Sequence, residues 1–525
     1  MVKILDLTKE IALQKIKSGE VTVCVVGLGY VGLPLATLFA SEGVNVIGSD
    51  GNLGVVEKVN QGKSTISEHD VMELIRPDAK PVQAVCPRCA VQLFTTNHDV
   101  FCPHCQRIAE IRGNTVRILS QNIKSDDITS TRPKMLESLL GRAVRDGKLI
   151  ATTDTSQAVS DADVVLITVG TPISRNLEPD TTALSTASRQ IGSGLTRDTL
   201  VILKSTVSPG TTEDVVSPTI SEESGLQPGL DFGLAHMPER IKEGMALYEF
   251  RHLPRIVSGI DRRSTNAAVA LFSVFPAPLY TFESPRITET SKLFENISRD
   301  VNISLANELA IICQTLGIDI MQVIEAAQTD PKTHLLIPGP GVGGYCLTKD
   351  SYYLTFPATQ KGFTPSLIPM ARRVNDEMPK HVANLVRDAL DEAGIRTDDA
   401  LVAILGLAFK GNSGDIRNTP VIPLVKYLED LHMEIVAYDP LVDYKDAMHY
   451  FNKIRLTSDL KEAVAQADCI IVTTDHSAFK KLTINELVRD ATKLRAVVDT
   501  RHIFDQREVR KLGLVYRGIG RGITN

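Results

Sequence analysis

The 525-residue sequence has no long apolar run, no recognisable export signal and few cysteines. Its apolar stretches are shorter than the ~20 residues that a transmembrane helix needs, so we expect no membrane span. The N-terminus lacks the apolar core of a signal peptide because Asp6, Lys9 and Glu10 interrupt it. In a long chain without that signal, the 8 cysteines are expected to be thiols, metal ligands or a catalytic group rather than disulfides. We therefore expect a cytoplasmic protein.

An excess of positive charge is also absent, since the formal net charge is −6. This balance argues against a global nucleic-acid footprint, although not against local basic pockets that bind phosphates. Apolar residues make up 43% of the chain and charged residues 23%, which is ordinary for a globular protein. The length is enough for about three domains and for more than one hydrophobic core.

The stretch at residues 339–350, GPGVGGYCLTKD, is where we first expect chemistry. Glycine tolerates positive φ and lets a ligand approach the backbone closely, so this run predicts a tight loop that cradles a ligand. Cys346 is a candidate nucleophile, and a cation such as Lys349 nearby would favour its thiolate. The alternative is a glycine-rich turn that holds one buried cysteine.

Residues 21–32, VTVCVVGLGYVG, predict a dinucleotide-binding unit. A β-branched strand runs into Gly27, Gly29 and Gly32, a helix follows, and a second strand ends at Asp50. The glycines allow a tight turn and close approach of a pyrophosphate to the helix N-terminus, and the acid about 20 residues on binds the ribose hydroxyls. Asp50 would repel a 2′-phosphate, which favours NAD over NADP. A βαβ unit without a ligand is the alternative.

Two C-x-x-C pairs interrupt this pattern within residues 82–118. Cys86 and Cys89 form the first pair, and Cys102 and Cys105 form the second. Four thiolates at this spacing predict a structural tetrahedral zinc site, and disulfides are the alternative. Because sulfur fills all four positions, the metal would have no open site, and we expect no catalytic role for it.

From residue 148 the alternation of strands and helices resumes, and polar residues follow several predicted strands. Thr171, Thr206 and Glu239 are candidates for ligand binding because the carboxyl ends of parallel strands line the crevice of such a sheet. Each of the three could equally be a cap or turn residue.

Residues 283–328 have apolar positions at helical spacing, which predicts a helix of more than ~25 residues. A helix this long usually spans domains or builds an oligomer interface. Lys292, Asn296 and Arg299 lie at i, i+4 and i+7 and therefore share one face. The alternative is a solvated polar stripe, but a helix interior gains little from an asparagine unless its side chain is engaged.

The last third of the chain repeats the first theme. Residues 400–420 predict a strand, a glycine turn and the start of a helix, and a further strand ends at Asp439. Lys410, Asp415 and Arg417 cluster in this second glycine turn, where phosphate or sugar contacts are expected. The predicted fold is α/β, with two Rossmann-like domains joined by a long central helix and a small four-cysteine zinc-ribbon insertion in the N-terminal domain.

Taken together, these motifs resemble those of the UDP-glucose/GDP-mannose dehydrogenase family of nucleotide-sugar 6-dehydrogenases. The matching stretches are GLGYVG, VGTP, STVSPGTT, PERIKEG, SKLFENISRDVNISLANE, GPGVGGYCLTKD, GLAFKGNSGDIR and YDP. They cover roughly residues 21–520 apart from the zinc segment. The resemblance implies an NAD domain at 21–282 that carries the insertion at 82–118, a central helical dimerisation and catalytic-loop domain at 283–395, and a UDP-sugar domain at 396–525. Residues 1–20 before them are expected to form a short helical extension, because Leu5, Ile11, Leu13 and Ile16 lie among charged residues.

The resemblance also implies a reaction. The sugar C6 alcohol gives a hydride to NAD, Cys346 traps the aldehyde as a thiohemiacetal, a second NAD takes another hydride to give a thioester, and water releases the uronate. A thiol suits this sequence because it captures an aldehyde reversibly and forms an ester that remains open to hydrolysis. Lys292 and Asn296 are expected to stabilise the C6 oxyanion, and Asp350 to position or activate water.

Further roles follow from the same resemblance. Glu239 is expected to assist thioester hydrolysis, and Thr206 to orient water and the reacting oxygen. The expected cofactor contacts are Gly27, Gly29, Tyr30, Val31, Gly32, Asp50, Thr171, Thr206 and Lys349. The expected substrate contacts are Glu239, Arg240, Lys292, Asn296, Arg299, Gly343, Lys410 and Arg417, and Lys349 and Arg417 would grip the sugar and diphosphate. The expected assembly is a homodimer or a higher homo-oligomer through the central helix.

The sequence favours a UDP-N-acetylhexosamine, such as the N-acetylmannosamine derivative, as the substrate. The stretches PERIKEG and RDVNISLANEL resemble that branch, whereas the Lys349-Asp350 pair resembles the UDP-glucose branch. Thr348 and Ser351 stand where the family often has prolines. Two other classes of function are the alternatives: a nucleic-acid-binding protein that acts through the ribbon, and a non-catalytic sugar-nucleotide sensor. The few basic residues of the ribbon argue against the first, and the presence of Cys346 with Lys292 and Asp350 argues against the second.

Overall fold

A computed structural model of the chain describes residues 4–66, 135–241 and 246–522, together with the backbone of five short strands between residues 82 and 118. The chain divides into two compact units, one comprising Met1–Pro172 and Asp180–Lys292 and the other Ile173–Pro179 and Leu293–Asn525. Among the helices in these described ranges, none combines the length and the apolar character that crossing a membrane requires.

The first unit is built on an eight-stranded sheet. Its strands are β1 (Thr22–Val26), β2 (Asn45–Ser49), then, after β3 to β7 of the insertion given below, β8 (Leu149–Thr152), β9 (Val164–Ile167), β10 (Leu200–Leu203), β11 (Gly233–His236), β12 (Arg255–Gly259) and β13 (Leu279–Thr281). The strand order is β13-β12-β11-β10-β9-β1-β2-β8. Only the β11–β12 pair in this sheet is antiparallel. The central strands are β-branched or leucine-rich and buried on both faces, as a parallel sheet covered by helices requires.

The helices of the first unit cover this sheet. They are α1 (Lys9–Lys17), α2 (Gly32–Ser41), α3 (Leu53–Asn60), α4 (Met135–Arg145), α5 (Thr155–Ser160), α6 (Thr182–Gly194), α7 (Ser217–Ser224), α8 (Ala246–His252) and α9 (Arg262–Phe272). Asparagine and aspartate side chains cap several of them, as Asn52 does for α3 and Asp261 for α9. The N-terminal extension buries Ile4 and Ile16 completely in the same core, so it belongs to this unit.

Five strands lie between residues 82 and 118: β3 (Val82–Val85), β4 (Gln92–Thr95), β5 (Asp99–Cys102), β6 (Arg107–Arg112) and β7 (Thr115–Ile118). The first two form an antiparallel pair, and the last three form a separate antiparallel sheet. Cys86, Cys89 and Cys105 lie outside the described residues, and Cys102 belongs to a strand of which only the backbone is described. The predicted zinc site therefore stays a prediction.

The second unit carries a six-stranded parallel sheet. Its strands are β14 (Leu401–Leu405), β15 (Glu434–Tyr438), β16 (Arg455–Leu456), β17 (Cys469–Val472), β18 (Ala496–Asp499) and β19 (Val515–Gly518). The strand order is β16-β15-β14-β17-β18-β19. Successive strands are added on one side of β14 up to β16 and then on its other side from β17 onward, as in a doubly wound sheet. The prediction of two parallel-sheet, Rossmann-like domains is therefore confirmed.

The helices of the second unit include a long pair. Helix α10 (Pro285–Thr315) begins in the first unit and continues in the second from Leu293, and its 31 residues confirm the predicted long helix. It is followed by α11 (Ile320–Ala327), α12 (Asp350–Gln360), α13 (Leu367–Glu392), α14 (Val421–Asp430), α15 (Tyr444–Tyr450), α16 (Leu460–Val464), α17 (Ser477–Lys480), α18 (Ile484–Asp490) and α19 (Gln506–Lys511). The second half of α13 packs with α14 and the sheet in one core.

The second glycine turn differs from its prediction. We expected a helix to start within residues 400–420, but α14 begins only at Val421. The chain instead forms an open turn from Gly406 to Pro420, in which Asn412 and Asn418 adopt positive φ values of 57° and 49°. Such left-handed residues cannot propagate a helix, so the strand-turn-helix spacing of the first unit is not repeated here.

Candidate active site

The glycine turn after β1 has the geometry of a pyrophosphate cradle. Gly27 has φ +96°, and a Cβ at Gly32 would lie 1.8 Å from the carbonyl oxygen of Gly27. A Cβ at Gly29, by contrast, would meet no described atom of the chain within 4 Å. The turn therefore requires glycine at two positions for its own packing and leaves the third open to a ligand. Tyr30 is half exposed beside it, and Val31 occupies the N-cap position of α2 without a side-chain cap.

Asp50, directly after β2, reaches back to this turn. Its carboxylate accepts a hydrogen bond from the backbone N–H of Leu28 at 2.8 Å and from that of Asn52 at 2.9 Å. The side chain remains partly exposed. It is thus held at the edge of the turn, where the ribose of a dinucleotide is expected.

Thr171 and Thr206 lie close together after the neighbouring strands β9 and β10. The Thr171 hydroxyl donates to the backbone oxygen of Thr206 at 2.8 Å, and the Ser205 hydroxyl donates to the backbone oxygen of Val169 at 2.6 Å. These bonds tie the two loops at the carboxyl end of the sheet. The sequence prediction that strand ends would bring these residues to one edge is therefore consistent with the fold, and their roles stay predictions.

Glu239 has a partner that the sequence analysis missed. The Nζ of Lys204, at the end of β10, lies 3.2 Å from the Glu239 Oε2, and the Lys204 side chain is 1% exposed. Its ammonium also lies 5.0 Å from the centre of the Phe272 ring. Glu239 Oε1 accepts the backbone N–H groups of Arg240 and Ile241. One carboxylate oxygen thus accepts two backbone hydrogen bonds and the other faces the Lys204 ammonium, so the Glu239 side chain is held in a fixed orientation.

The electrostatics of Lys204 reflect this burial. Desolvation lowers the pKa of the Lys204 ammonium, while the Glu239 carboxylate acts in the opposite direction and raises it. Arg255 lies in the same region over the rings of Phe250, Phe272 and Phe275, and burial lowers its pKa to about 10. The Arg240 guanidinium donates to the backbone oxygen of Pro254 at 3.0 Å.

The helix α10 places Lys292 and Asn296 in buried positions and Arg299 in an exposed one. Lys292 is 8% exposed and Asn296 4%. Lys292 belongs to the first unit, whereas Asn296 and Arg299 belong to the second. Of the three residues predicted to share one face, Lys292 and Asn296 are therefore buried and Arg299 is exposed to solvent. Among them, only Asn296 has a described side-chain partner.

Cys346 lies in the predicted glycine loop, one turn before α12, and its side chain is exposed. Its carbonyl oxygen accepts the backbone N–H groups of Lys349 and Asp350, which begin that helix. Cys24, Cys313 and Cys469 are buried, as expected of core residues, and burial raises the pKa of Cys24 to about 12. Among the described cysteines, Cys346 is therefore the one placed to act as a nucleophile.

A buried polar network lies at the start of α12, which begins four residues after Cys346. The Asn296 amide donates to Asp350 Oδ2 at 2.6 Å, and Lys349 Nζ lies 3.2 Å from Asp350 Oδ1. The Lys349 ammonium is also 4.6 Å from the centre of the Tyr345 ring and 4.5 Å from that of Tyr353. Lys349 is thus turned inward within its own unit. Its predicted grip on cofactor and diphosphate stays a prediction, with this internal pairing as a competing role.

The charged residues of the second glycine turn, Lys410, Asp415 and Arg417, are half-buried in the same unit. Arg417 donates to Asp415 in a bidentate pair, through Nε at 2.9 Å and through Nη2 at 2.7 Å. The Lys410 ammonium lies 5.8 Å from the centre of the Phe409 ring. Gly343 approaches the turn so closely that a Cβ there would lie 2.4 Å from the Cβ of Phe409.

The acid of the second Rossmann-like sheet differs from Asp50. Asp439 is 1% exposed, and its Oδ2 accepts the backbone N–H of Leu407 at 2.7 Å and the Nε2–H of His476 at 3.1 Å. Burial raises the pKa of Asp439, but the bonds from His476 and the backbone amides outweigh this and hold it below its usual range. The His476 Nδ1 accepts the backbone N–H of Asn412 at 3.0 Å, which orients the Nε2 toward Asp439. Asp439 therefore organises the turn internally.

Within the described part of the chain, no group of three or more His, Cys, Asp or Glu side chains is placed to hold a metal ion.

Comparison with known families gives three matches to domains of one family. The NAD binding domain of the UDP-glucose/GDP-mannose dehydrogenase family matches residues 21–83 and 102–275. The central domain of that family matches residues 286–377, and its UDP binding domain matches residues 403–506. These matches cover well over half of the chain, and residues 84–101 are skipped.

Comparison with individual proteins points the same way. The chain is 32% identical over 501 residues to UDP-N-acetyl-D-mannosamine dehydrogenase of Pyrococcus horikoshii, across 95% of this chain and 99% of that protein. It is 30% identical to UDP-N-acetyl-D-glucosamine 6-dehydrogenase of Pseudomonas aeruginosa, across 93% and 98% of the two chains. Among solved structures, the UDP-D-ManNAc dehydrogenase of Pyrococcus horikoshii matches with a TM-score of 0.76 and 30% identity, covering 96% of this chain and 100% of that one.

Proposed function

Because the chain belongs to the UDP-glucose/GDP-mannose dehydrogenase family, we propose that it oxidises the C6 alcohol of a UDP-N-acetylhexosamine to the uronate in two NAD-dependent steps. It is an NAD-dependent nucleotide-sugar dehydrogenase by family. The observation that carries the proposed chemistry is the exposed Cys346 in its glycine loop, backed by the buried Asn296–Asp350–Lys349 network.

The residues after β1 and β2 fit NAD. A Cβ at Gly29 would occupy space that is open beside the N-terminus of α2, and Asp50 is held with its carboxylate at the edge of the turn. Gly27, Gly29 and Gly32 would hold the pyrophosphate, and Asp50 the ribose hydroxyls. When bound, NAD supplies a hydride acceptor in each of the two oxidations.

The thiol of Cys346 links the two oxidations. Its sulfur adds to the C6 aldehyde, so a C–S bond forms and the carbonyl oxygen takes up a proton as a thiohemiacetal. After the second oxidation the same carbon is a thioester. Water then adds to it, the C–S bond breaks, and the thiol and the uronate are released. An exposed loop thiol suits both the attack and the hydrolysis.

Charged and amide groups are assigned to the developing oxyanion and to water. Lys292 and Asn296 would stabilise negative charge on the C6 oxygen, a contribution of about 3 kcal/mol for one placed donor. Asp350, fixed by Asn296 and Lys349, would position or activate the hydrolytic water. Glu239 would assist hydrolysis, and its pairing with Lys204 supports an oriented carboxyl group there.

The remaining assigned residues would bind the ends of the two ligands. Thr171 and Thr206 lie at the carboxyl end of the sheet that the NAD turn also occupies, which supports contacts with the cofactor. In the second unit, Lys410 and Arg417 belong to the stretch that matches a UDP binding domain, which supports diphosphate contacts. Arg240, Arg299 and Gly343 are carried as substrate contacts on the motif match alone.

The N-acetyl group is the finer part of the proposal. Relatives at 30–32% identity over most of the chain act, by their names, on UDP-N-acetylmannosamine and UDP-N-acetylglucosamine. The PERIKEG and RDVNISLANEL stretches support the same branch. The second candidate is UDP-glucose, favoured by the Lys349-Asp350 pair and by a UDP-glucose dehydrogenase of Pyrobaculum islandicum that matches with a TM-score of 0.72 at 26% identity.

A homodimer and a structural zinc ion complete the proposal. From Phe294 onward, α10 exposes apolar side chains in the single chain, among them Leu305 and Ile312 seven residues apart, and a second copy would cover them. For zinc, the support is the C-x-x-C spacing, the antiparallel hairpins of residues 82–118 and the gap in the family match at residues 84–101.

The test is NADH formation against a panel of UDP- and GDP-sugars under one set of conditions. The proposal predicts the highest kcat/KM for UDP-N-acetylmannosamine or UDP-N-acetylglucosamine. A clear preference for UDP-glucose would overturn the substrate and keep the chemistry. No NADH with any nucleotide sugar would contradict the activity itself.

A further inference from the structure

The Cys346 loop is shaped against the second glycine turn, residues 409–418. A Cβ at Gly343 would lie 2.8 Å from the backbone oxygen of Asn418, and a Cβ at Gly344 would lie 2.9 Å from Cζ of Phe409. Gly344 also has φ +85°, a conformation that other residues rarely adopt. The two glycines that precede Tyr345 and Cys346 therefore follow the surface of the turn so closely that no side chain fits between them.

Hydrogen bonds join the same two segments. The backbone N–H of Gly344 donates to the backbone oxygen of Arg417 at 2.9 Å. The Asn418 side-chain amide donates to the backbone oxygen of Gly344 at 3.2 Å and to the Thr348 hydroxyl oxygen at 3.3 Å. The Thr348 hydroxyl in turn donates to the backbone oxygen of Gly344 at 2.8 Å. In the sequence, Cys346 lies midway between Gly344 and Thr348, the two loop residues that bond to Asn418.

The donor and acceptor counts of this network are balanced. An asparagine amide has two N–H donors, and both find an acceptor in the loop. The carbonyl oxygen of Gly344 has two lone pairs, and it accepts from Asn418 and from Thr348. The Thr348 hydroxyl accepts from Asn418 and donates to Gly344, so it uses both of its hydrogen-bonding roles within the network.

The turn itself is braced independently of the loop. The backbone N–H of Phe409 donates to the backbone oxygen of Asp415 at 3.1 Å, and the Asp415 carboxylate holds the Arg417 guanidinium. The whole turn lies inside the stretch that matches a UDP binding domain. A ligand that changes the turn is therefore in a position to change the loop that rests on it.

We propose that Asn418 and Thr348 are positioning residues that couple UDP binding at the 409–418 turn to the placement of the Cys346 thiol. The coupling rests on the proposed function for the identity of the ligand and of the nucleophile. It adds that nucleotide occupancy and thiol placement are linked through two hydrogen-bonding side chains, neither of which reacts. The linked states differ in how tightly the loop is held against the turn.

The test uses alkylation of Cys346 by iodoacetamide in the full chain, with and without saturating UDP and without any sugar substrate. The modified site is identified by mass spectrometry of the Cys346 peptide. We expect UDP to slow alkylation of the unsubstituted protein by about fivefold, the factor that corresponds to one net hydrogen bond of about 1 kcal/mol. Saturation is set for each variant by calorimetric titration of UDP.

Four variants separate coupling from simple shielding. Thr348→Val removes the hydroxyl at nearly constant shape, and Thr348→Ser restores it. Asn418→Gly removes the amide while tolerating the positive φ, and Asn412→Gly does the same at a left-handed asparagine whose amide donates to Ser477 instead. We expect the UDP effect to persist in Thr348→Ser and Asn412→Gly and to disappear in Thr348→Val and Asn418→Gly.

The outcomes are distinct. Equal slowing by UDP in all proteins would mean that UDP shields the thiol directly, which would overturn the coupling. No UDP effect on the unsubstituted protein would overturn it as well, even if the protein oxidises UDP-sugars normally. Thermal melting of each variant confirms that the fold is retained, and Thr348→Ala gives a second route if Thr348→Val fails to fold, since it also removes the hydroxyl and should abolish the UDP effect.

Discussion

The Asn296–Asp350 hydrogen bond offers a sharp perturbation of the proposed site. Asn296→Ala removes a donor that lies 2.6 Å from Asp350 Oδ2, with Asn296 4% and Asp350 1% exposed. The pairing with Lys349 at the other oxygen remains. The carboxylate would thus stay buried with one of its two described side-chain partners.

The expected magnitude follows from the charge of the acceptor. Hydrogen bonds to charged groups contribute about 1.5–3 kcal/mol, and a buried acceptor that loses its donor keeps its desolvation cost. If Asp350 must hold its position in the rate-limiting transition state, the same energy corresponds to a loss of roughly 10- to 150-fold in kcat. KM should change much less, because both proposed roles of Asn296, at the C6 oxyanion and through Asp350, act in the transition state.

The assay is steady-state NADH formation, with Asn302→Ala as the matched control. Asn302 lies on the same helix, is exposed, and donates its amide to the backbone oxygen of Ser298 at 2.7 Å, so it lacks any link to Asp350. Asn296→Asp adds a diagnostic arm. Two buried carboxyls in contact cannot both ionise easily, so kcat of this variant should gain a new pH dependence.

The reasoning would be refuted if Asn296→Ala kept a kcat within about twofold of that of Asn302→Ala, a difference of less than half a kcal/mol. A large loss in both variants would point to a general effect of truncating α10. An Asn296→Asp profile that follows the unsubstituted enzyme at every pH would also count against a role for the Asp350 charge.

Three further predictions concern the thiol, the insertion and acid stability. Cys346→Ser should abolish uronate formation, because the serine hydroxyl is a poorer nucleophile than a thiolate and its alkoxide is a poorer leaving group. Full uronate output, measured by mass spectrometry, would contradict the covalent route. Metal analysis should find about one zinc per chain. Removal of the metal by a chelator should destabilise residues 82–118 and leave turnover measurable. Loss of turnover while the fold and the oligomer stay intact would contradict a structural role. Burial lowers the pKa of His236 to about 3. Since the unfolded chain takes up this proton below its ordinary pKa of about 6.5, the free energy of unfolding should fall as pH decreases from there toward 3, by up to about 1.4 kcal/mol per pH unit. Urea unfolding at several pH values should show a shallower decline in His236→Gln, and an unchanged slope would contradict the assignment.

The alternation of strands and helices was predictable because buried parallel strands have a recognisable sequence pattern, a short β-branched run that ends in glycine or polar residues. The runs at β1, β9 and β14 were all predicted, and each is buried in its sheet. The length of α10 was predictable from its apolar periodicity. The late start of α14 was not, because left-handed Asn412 and Asn418 extend the turn, and asparagine tolerates several backbone conformations.

The candidate site divides in the same way. Motif residues such as Cys346, Asn296 and Asp350 were found from sequence, and the last two are in direct contact. Lys204 was missed, although a lysine that closes the apolar run LVIL is a signal that could have found it. Asn418 and Thr348 could not be predicted, because their contact joins segments 70 residues apart and neither segment carries a local pattern for it.

The central claim is that the Cys346 thiol holds one substrate molecule through both oxidations. The measurement that tests this is the stoichiometry of NADH to sugar in a limiting-substrate reaction with UDP-N-acetylmannosamine or UDP-N-acetylglucosamine, with the products resolved by mass spectrometry. The account predicts about two NADH and one uronate for each sugar consumed, with no free aldehyde. One NADH per sugar with accumulation of the free aldehyde would contradict it.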